Sequence, residues 1–189
     1  MLLPIYAYGQ PVLKKKADPI SADYADLKDL ISNMWQTMYH ADGVGLAAPQ
    51  IGLSIRLFMI DTLEVKRKTE PVDTDLGMKQ VFINAQILEE TGEPWVYEEG
   101  CLSIPRVTGD VERLKTVRIS WQDEQFEAHE AVFTGINARV IQHEYDHIEG
   151  LLFTEKLKPL KKRLIQRKLD EIRAGKINTD YRMRFFNVR

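Results

Sequence analysis

Only one cysteine, Cys101, occurs in the 189 residues, which excludes an internal disulfide and points to a reducing cytosol. Long apolar runs are missing as well. Leu2 and Leu3 are followed at once by Pro4 with no basic start, so neither a signal peptide nor a membrane span is expected and the chain reads as cytoplasmic. The glycine-rich residues 43–52 lack the Gly-Lys-Ser/Thr ending of a phosphate loop. Nor do their glycines open a helix after a strand, as a dinucleotide fingerprint requires. Net charge is close to nil at −2, but that value hides a division. Residues 156–189 carry 12 Lys and Arg against 3 acids, leaving 14 against 25 in residues 1–155. Histidine is scarce, with four in the chain.

Two of those four lie in Gln142-His143-Glu144-Tyr145-Asp146-His147. A helix turns roughly 100° per residue, so His147 returns to within about 40° of His143, and both rings can face one metal ion. Glu144 is then held beside the ion, placed to take a proton from water there. Ile136, Val140, Ile141 and Ile148 recur at helical spacing around the motif. Thr134 or Asn137 can cap the start and Gly150 can close the end. The spacing therefore predicts an apolar core helix with the metal internal and shielded.

A catalytic centre of the zinc type takes three protein ligands, and two imidazoles leave one to be found. His40, His129, an acidic residue or Cys101 could supply it. Cys101 sits in Glu99-Gly100-Cys101-Leu102-Ser103-Ile104-Pro105, between a glycine and a proline, which reads as an irregular or bulged segment with amides free to point inward. A lone thiolate in a reducing compartment is a reasonable soft ligand. Asp146 and Glu99 are both candidates to anchor the ligating histidines from behind. Residues 43–52, Gly-Val-Gly-Leu-Ala-Ala-Pro-Gln-Ile-Gly, can let a substrate backbone approach closely and present one amide side chain, Gln50.

Taken together, these segments resemble the peptide deformylase family, whose motifs G-x-G-L-A-A-x-Q, E-G-C-x-S and Q-H-E-x-D-H appear complete and in order at residues 43–50, 99–103 and 142–147. The resemblance spans about residues 1–170. It implies that Cys101, His143 and His147 bind one divalent metal, with Fe2+ preferred and Zn2+, Ni2+ or Co2+ as alternatives, and that Glu144 is general base and acid. It implies further that Gln50 and the Leu102 amide stabilise the oxyanion, and that Gly45 and Gly100 contact the substrate backbone. The implied substrate is the N-formyl-methionyl end of a nascent polypeptide, and formate is released. Its methionine side chain needs an apolar slot, for which Val44, Ile136 and Val140 are the expected lining, with Arg139 a neighbour.

Elsewhere, Leu27, Leu30, Ile31, Met34, Trp35 and Met38 mark an amphipathic helix starting near Ser21. Strands are expected at residues 55–60, 81–84, 116–122 and 126–133, and an inserted loop at residues 61–80. The fold class expected is α+β: one domain of 189 residues, mixed or antiparallel sheets around a central metal-binding helix, with N-terminal and C-terminal helices. In the basic segment, Leu160, Leu164, Leu169 and Ile172 give an apolar stripe, Pro159 suits the first turn and Gly175 the end. Given the resemblance, this helix and residues 181–186 are expected to dock on ribosomal RNA, with no membrane or DNA among the partners. Two other classes stay open at this point. A zincin-type peptidase would use a third His or Glu in place of Cys101, and a non-catalytic ribosome-associated protein would carry a structural metal.

Overall fold

Apolar periodicity and turn residues divide the chain into β1 (Ile5–Tyr6), α1 (Leu27–His40), β2 (Gly45–Ala47), β3 (Leu57–Asp61), β4 (Lys79–Cys101), β5 (Ile104–Gln122), β6 (Ala128–Thr134), α2 (Gly135–Ile148), α3 (Pro159–Arg173) and β7 (Met183–Arg184). The computed structural model describes residues 1–63 and 77–186. Strands β2-β3-β4-β5-β6 form one antiparallel sheet in that order, while β1 and β7 pair in parallel. With α2 packed on this sheet and α1 and α3 flanking it, the architecture is the expected α+β.

The central helix α2 is where it should be. Ile136, Ala138, Val140, Ile141 and Ile148 are buried against Phe58, Phe82, Val117 and Ile119 of the sheet. The rings of Phe58 and Phe82 stack at 4.7 Å. Burying each such side chain contributes on the order of 2 kcal/mol, so this layer holds α2 firmly. The helix ends in a Schellman motif: the Leu151 amide donates to the Asp146 carbonyl at 2.9 Å and that of Gly150 to the His147 carbonyl at 3.2 Å, with Gly150 at φ +75°.

Strands β4 and β5 run much longer than the expected residues 81–84 and 116–122. They form one hairpin whose register shifts at Ile83/Gln86, Ile87/Glu89, Thr91/Pro94 and Gly100/Cys101. Each bulge resets the alternation of faces, so no unbroken period of two survives through the polar middle of β4. On the partner strand the alternation is clear from Val107 to Arg113 and again from Val117 to Trp121, with Val107, Val111, Val117 and Ile119 buried.

Two helix readings need correction. Residues 21–26 form turns, with the Tyr24 amide bonded to the Ser21 carbonyl and Asp26 at φ +56°, so α1 starts at Leu27 instead of near Ser21. Along α3, Ile165, Leu169 and Ile172 are the buried face, whereas Leu160 and Leu164 are 71% and 70% exposed. Leu169 and Ile172 of the expected stripe are thus buried, and only its first half is displaced, with Ile165, about 100° around the helix from Leu164, taking the inward position. The expected loop at residues 61–80 lies mostly outside the described residues; at its ends the Thr62 amide donates to the Met78 carbonyl at 2.8 Å. No helix among the described residues is long and apolar enough to cross a membrane.

Candidate active site

One face of α2 presents His143 and His147 to the end of β4, where Cys101 lies. The Cys101 Sγ is 3.3 Å from His147 Nε2, and one donor atom from each of the three residues falls within 4.8 Å of the other two. Of the third ligands left open by the sequence, it is Cys101 that meets the two imidazoles. His40 is exposed at the end of α1, and His129 of β6 pairs with Asp123 of the β5–β6 turn at 2.7 Å. A sulfur and two ring nitrogens at this spacing suit a small divalent ion bonded at ~2.0 to 2.3 Å to each.

Behind the donors lies a buried charge network. Glu99 accepts a hydrogen bond from His143 Nδ1 at 2.9 Å, from Arg113 Nε and Nη2 at 2.7 and 3.0 Å, and from Arg139 Nη1 at 2.9 Å. Arg113 Nη1 also donates to Asp146 at 2.8 Å. The choice between Glu99 and Asp146 is thereby resolved for His143: Glu99 orients its ring and turns Nε2 toward Cys101, and Asp146 steadies Arg113. Burial alone would push the Glu99 carboxyl up, but the hydrogen bonds and charges of His143 and Arg113 outweigh it and hold the group well below the usual range. For His147, burial lowers the pKa well below the ordinary value, which keeps the ring neutral as a ligand must be.

Glu144 is 4% exposed, and its Oε2 has no protein partner among the described residues. Burial pushes its pKa up to about 7, where a proton can be taken and returned. Gly45 packs directly on it: a Cβ there would stand 2.3 Å from Glu144 Oε1, so only glycine leaves room for the carboxylate. Gln50 is 1% exposed, its Oε1 fixed by the Ala47 amide at 2.8 Å. That anchoring aims Nε2 at Cys101 Sγ and Ser103 Oγ, both at 3.4 Å. Leu102 and Ser103 are the two-residue turn joining β4 to β5, with Cys101 opposite Ile104.

A cavity of about 460 Å³ opens above these groups. Gln50, Cys101, Leu102, His143 and Glu144 line it, as do the expected Val44, Gly45, Gly100, Ile136 and Val140. Ile136 and Val140 are buried in its wall, whereas Val44 is 40% exposed and belongs to the rim. His147 lies beneath, outside the lining. Three contributors were not expected from the sequence. Tyr97 and Tyr181 line the cavity, and Arg113 holds Glu99 from below. Arg113 could have been found as a charged residue at an inward position of β5, which requires a buried partner. Tyr181 belongs to an alternating run from residue 177 to 185, a period-two signal in a segment read as a basic tail.

A family profile described as Polypeptide deformylase matches residues 2–163. The peptide deformylase of Christiangramia forsetii is 56% identical over 193 residues, covering 100% of this chain and 98% of its own. Among solved structures, the peptide deformylase of Thermus thermophilus is 36% identical with a TM-score of 0.80, over 93% of this chain and 99% of that one. That of Acinetobacter baumannii with Met-Ala-Ser bound is 37% identical with a TM-score of 0.74, over 83% and 99%.

Proposed function

Because the chain belongs to the polypeptide deformylase family, and so is a metal-dependent hydrolase that removes the N-formyl group from nascent polypeptides, we propose the following roles for its residues. Cys101, His143 and His147 hold one divalent ion, with Fe2+ the native metal and Zn2+, Ni2+ or Co2+ able to replace it. When bound, the ion supplies a Lewis acid that lowers the pKa of water at the site. The convergence of one thiol and two imidazoles beside a buried Glu144, whose Oε2 has no partner among the described residues, is the observation that supports this reading.

Glu144 accepts the proton of the attacking water and returns it to the amine that leaves. Negative charge grows on the formyl oxygen during attack. Gln50 Nε2 and the Leu102 amide are the donors for that charge, and loss of one such donor costs ~100 to 1,000-fold in rate. Gly45 and Gly100 let the substrate backbone come close, and the methionine side chain enters between Ile136 and Val140, with Val44 at the rim. The Met-Ala-Ser seen in the A. baumannii relative is a peptide of the product type that such a slot would release. Discrimination by this apolar wall is worth about 1 to 3 kcal/mol per methylene, so unbranched relatives of methionine are accepted more weakly. The whole of residues 1–189 acts as one catalytic domain in the cytoplasm.

Formate release from a formyl-Met peptide tests the assignment. Glu144→Ala should keep its metal and lose turnover by at least 100-fold; a variant that still turns over at the wild-type rate removes Glu144 from the chemistry. The basic face of α3 is the ribosome-facing surface in this reading, with Leu160 and Leu164 exposed among Lys161, Lys162 and Arg163.

A further inference from the structure

The two carbonyls of the Leu102–Ser103 turn are each held from a different end of the chain. Tyr8 donates its backbone amide to the Ser103 carbonyl at 2.8 Å, and Tyr181 donates its hydroxyl to the Leu102 carbonyl at 2.8 Å. These two anchors are themselves tied together. β1 and β7 pair in parallel with Ile5 opposite Met183, and the amides of Ile5 and Ala7 donate to the carbonyls of Arg182 and Arg184 at 2.9 and 3.0 Å. From residue 177 to 185 the odd-numbered side chains are half-buried and the even-numbered ones exposed, so the segment lies extended along the body. Ile177, Met183 and Phe185 pack on the same apolar cluster as Ile104 and Cys101. Thr179, Asp180 and Tyr181 then form one wall of the catalytic cavity.

We infer that this C-terminal segment is a built part of the active site, and that Tyr181 is a positioning residue for the oxyanion-stabilising turn. The inference rests on the assignment of Leu102 and Gln50 as donors to the developing oxyanion. A two-residue turn has few internal bonds of its own, and here it carries the Cys101 thiol at one end, the Leu102 amide in the middle and Ser103 Oγ against Gln50 at the other. An oxyanion donor works when it stands 2.7–3.1 Å from the place where charge appears. The Leu102 carbonyl and amide flank one α-carbon, so fixing the carbonyl limits rotation of the amide. Nothing in this role requires Tyr181 to touch the substrate's reacting atoms.

Tyr181→Phe keeps the ring packing and removes the hydroxyl alone. In the full-length, metal-loaded enzyme, kcat for a formyl-Met peptide should fall about tenfold, a fraction of the ~100-fold that a displacement of 1 Å costs, while KM stays within about twofold. Metal content should be unchanged, and the Leu102 and Ser103 amides should exchange hydrogen faster. Assays run at a temperature where circular dichroism shows the variant fully folded, so lost stability does not mimic the effect. An unchanged kcat, or a rise in KM with kcat intact, overturns the positioning role and leaves Tyr181 as wall only. Glu144→Ala is measured beside it. Turnover surviving in Glu144→Ala sinks the site assignment, whereas a dead Glu144→Ala beside a fully active Tyr181→Phe sinks only the role given to Tyr181.

Discussion

Glu99 and Glu144 are both buried carboxyls near the same two imidazoles, yet they are pushed in opposite directions. Glu99 is surrounded by donors and stays ionised, while Glu144 has burial and little to offset it, with a pKa of about 7. In the metal-free protein this has a readable consequence. Between its ordinary value of 4.5 and about 7 the folded state keeps a proton on Glu144 that the unfolded chain has released. Stability therefore falls as pH rises through that window, by roughly 3 kcal/mol in total. The Tm advantage of Glu144→Gln over wild type should widen from pH 4.5 to 7 and level off above, as followed by thermal melts of the chelated protein. Glu99→Gln should act differently. It removes the anion shared by Arg113 and Arg139 and leaves one acceptor oxygen where His143, Arg113 and Arg139 now use two, so metal affinity falls ~10 to 100-fold, measured by competition with a chromogenic chelator. At this scale the sequence was most informative. His143, Glu144 and His147 could be placed by helical geometry, and Cys101 and Gln50 by the resemblance of their motifs. For Arg113 the sequence could show an inward charge but not its partners, because Glu99 and Asp146 are 14 and 33 residues away and only the fold brings them within 3 Å.

Elements differ in how plainly the chain announces them. α2 carries an apolar period of 3.6 residues and a glycine stop, two signals that agree, and it was expected almost to the residue. Gly150 shows what that stop requires. Its φ is +75°, and a Cβ would meet the Lys14 carbonyl at 2.8 Å. Gly150→Ala should cost roughly 1 to 3 kcal/mol, visible as a lower urea midpoint with an unchanged m-value. The β4–β5 hairpin was legible only at its apolar ends. Between them, bulges break the pattern, and pairing with the partner strand supplies the order that local sequence does not. α3 was expected with the correct limits and with Leu169 and Ile172 inward, but Leu160 and Leu164 resemble core residues in composition and are exposed in fact. The ribosome proposal rests on the basic charge of this segment, among which the exposed pair lies. Charge reversal at Lys161, Lys162 and Arg163 should weaken co-sedimentation with ribosomes and flatten its dependence on salt, while formate release from a short peptide stays as in wild type.

On the scale of the whole molecule, the described residues form three apolar clusters, one joining α2 to the sheet, one beneath α3 and the chain ends, and one against α1. The metal-ligand triangle sits where the first two come together, between a helix and the tip of a long hairpin, and both partners are locked by contacts far from them in sequence. Such long-range closure is slow to form compared with local helix or turn contacts. The pairing of β1 with β7 is its extreme case, since it joins the first of the described elements to the last. During translation, β1 leaves the ribosome with its edge open and waits for every other strand and helix to be made. Until residues 182–184 are in place the edge of β1 has no partner, and the wall of the cavity formed by Thr179, Asp180 and Tyr181 is missing.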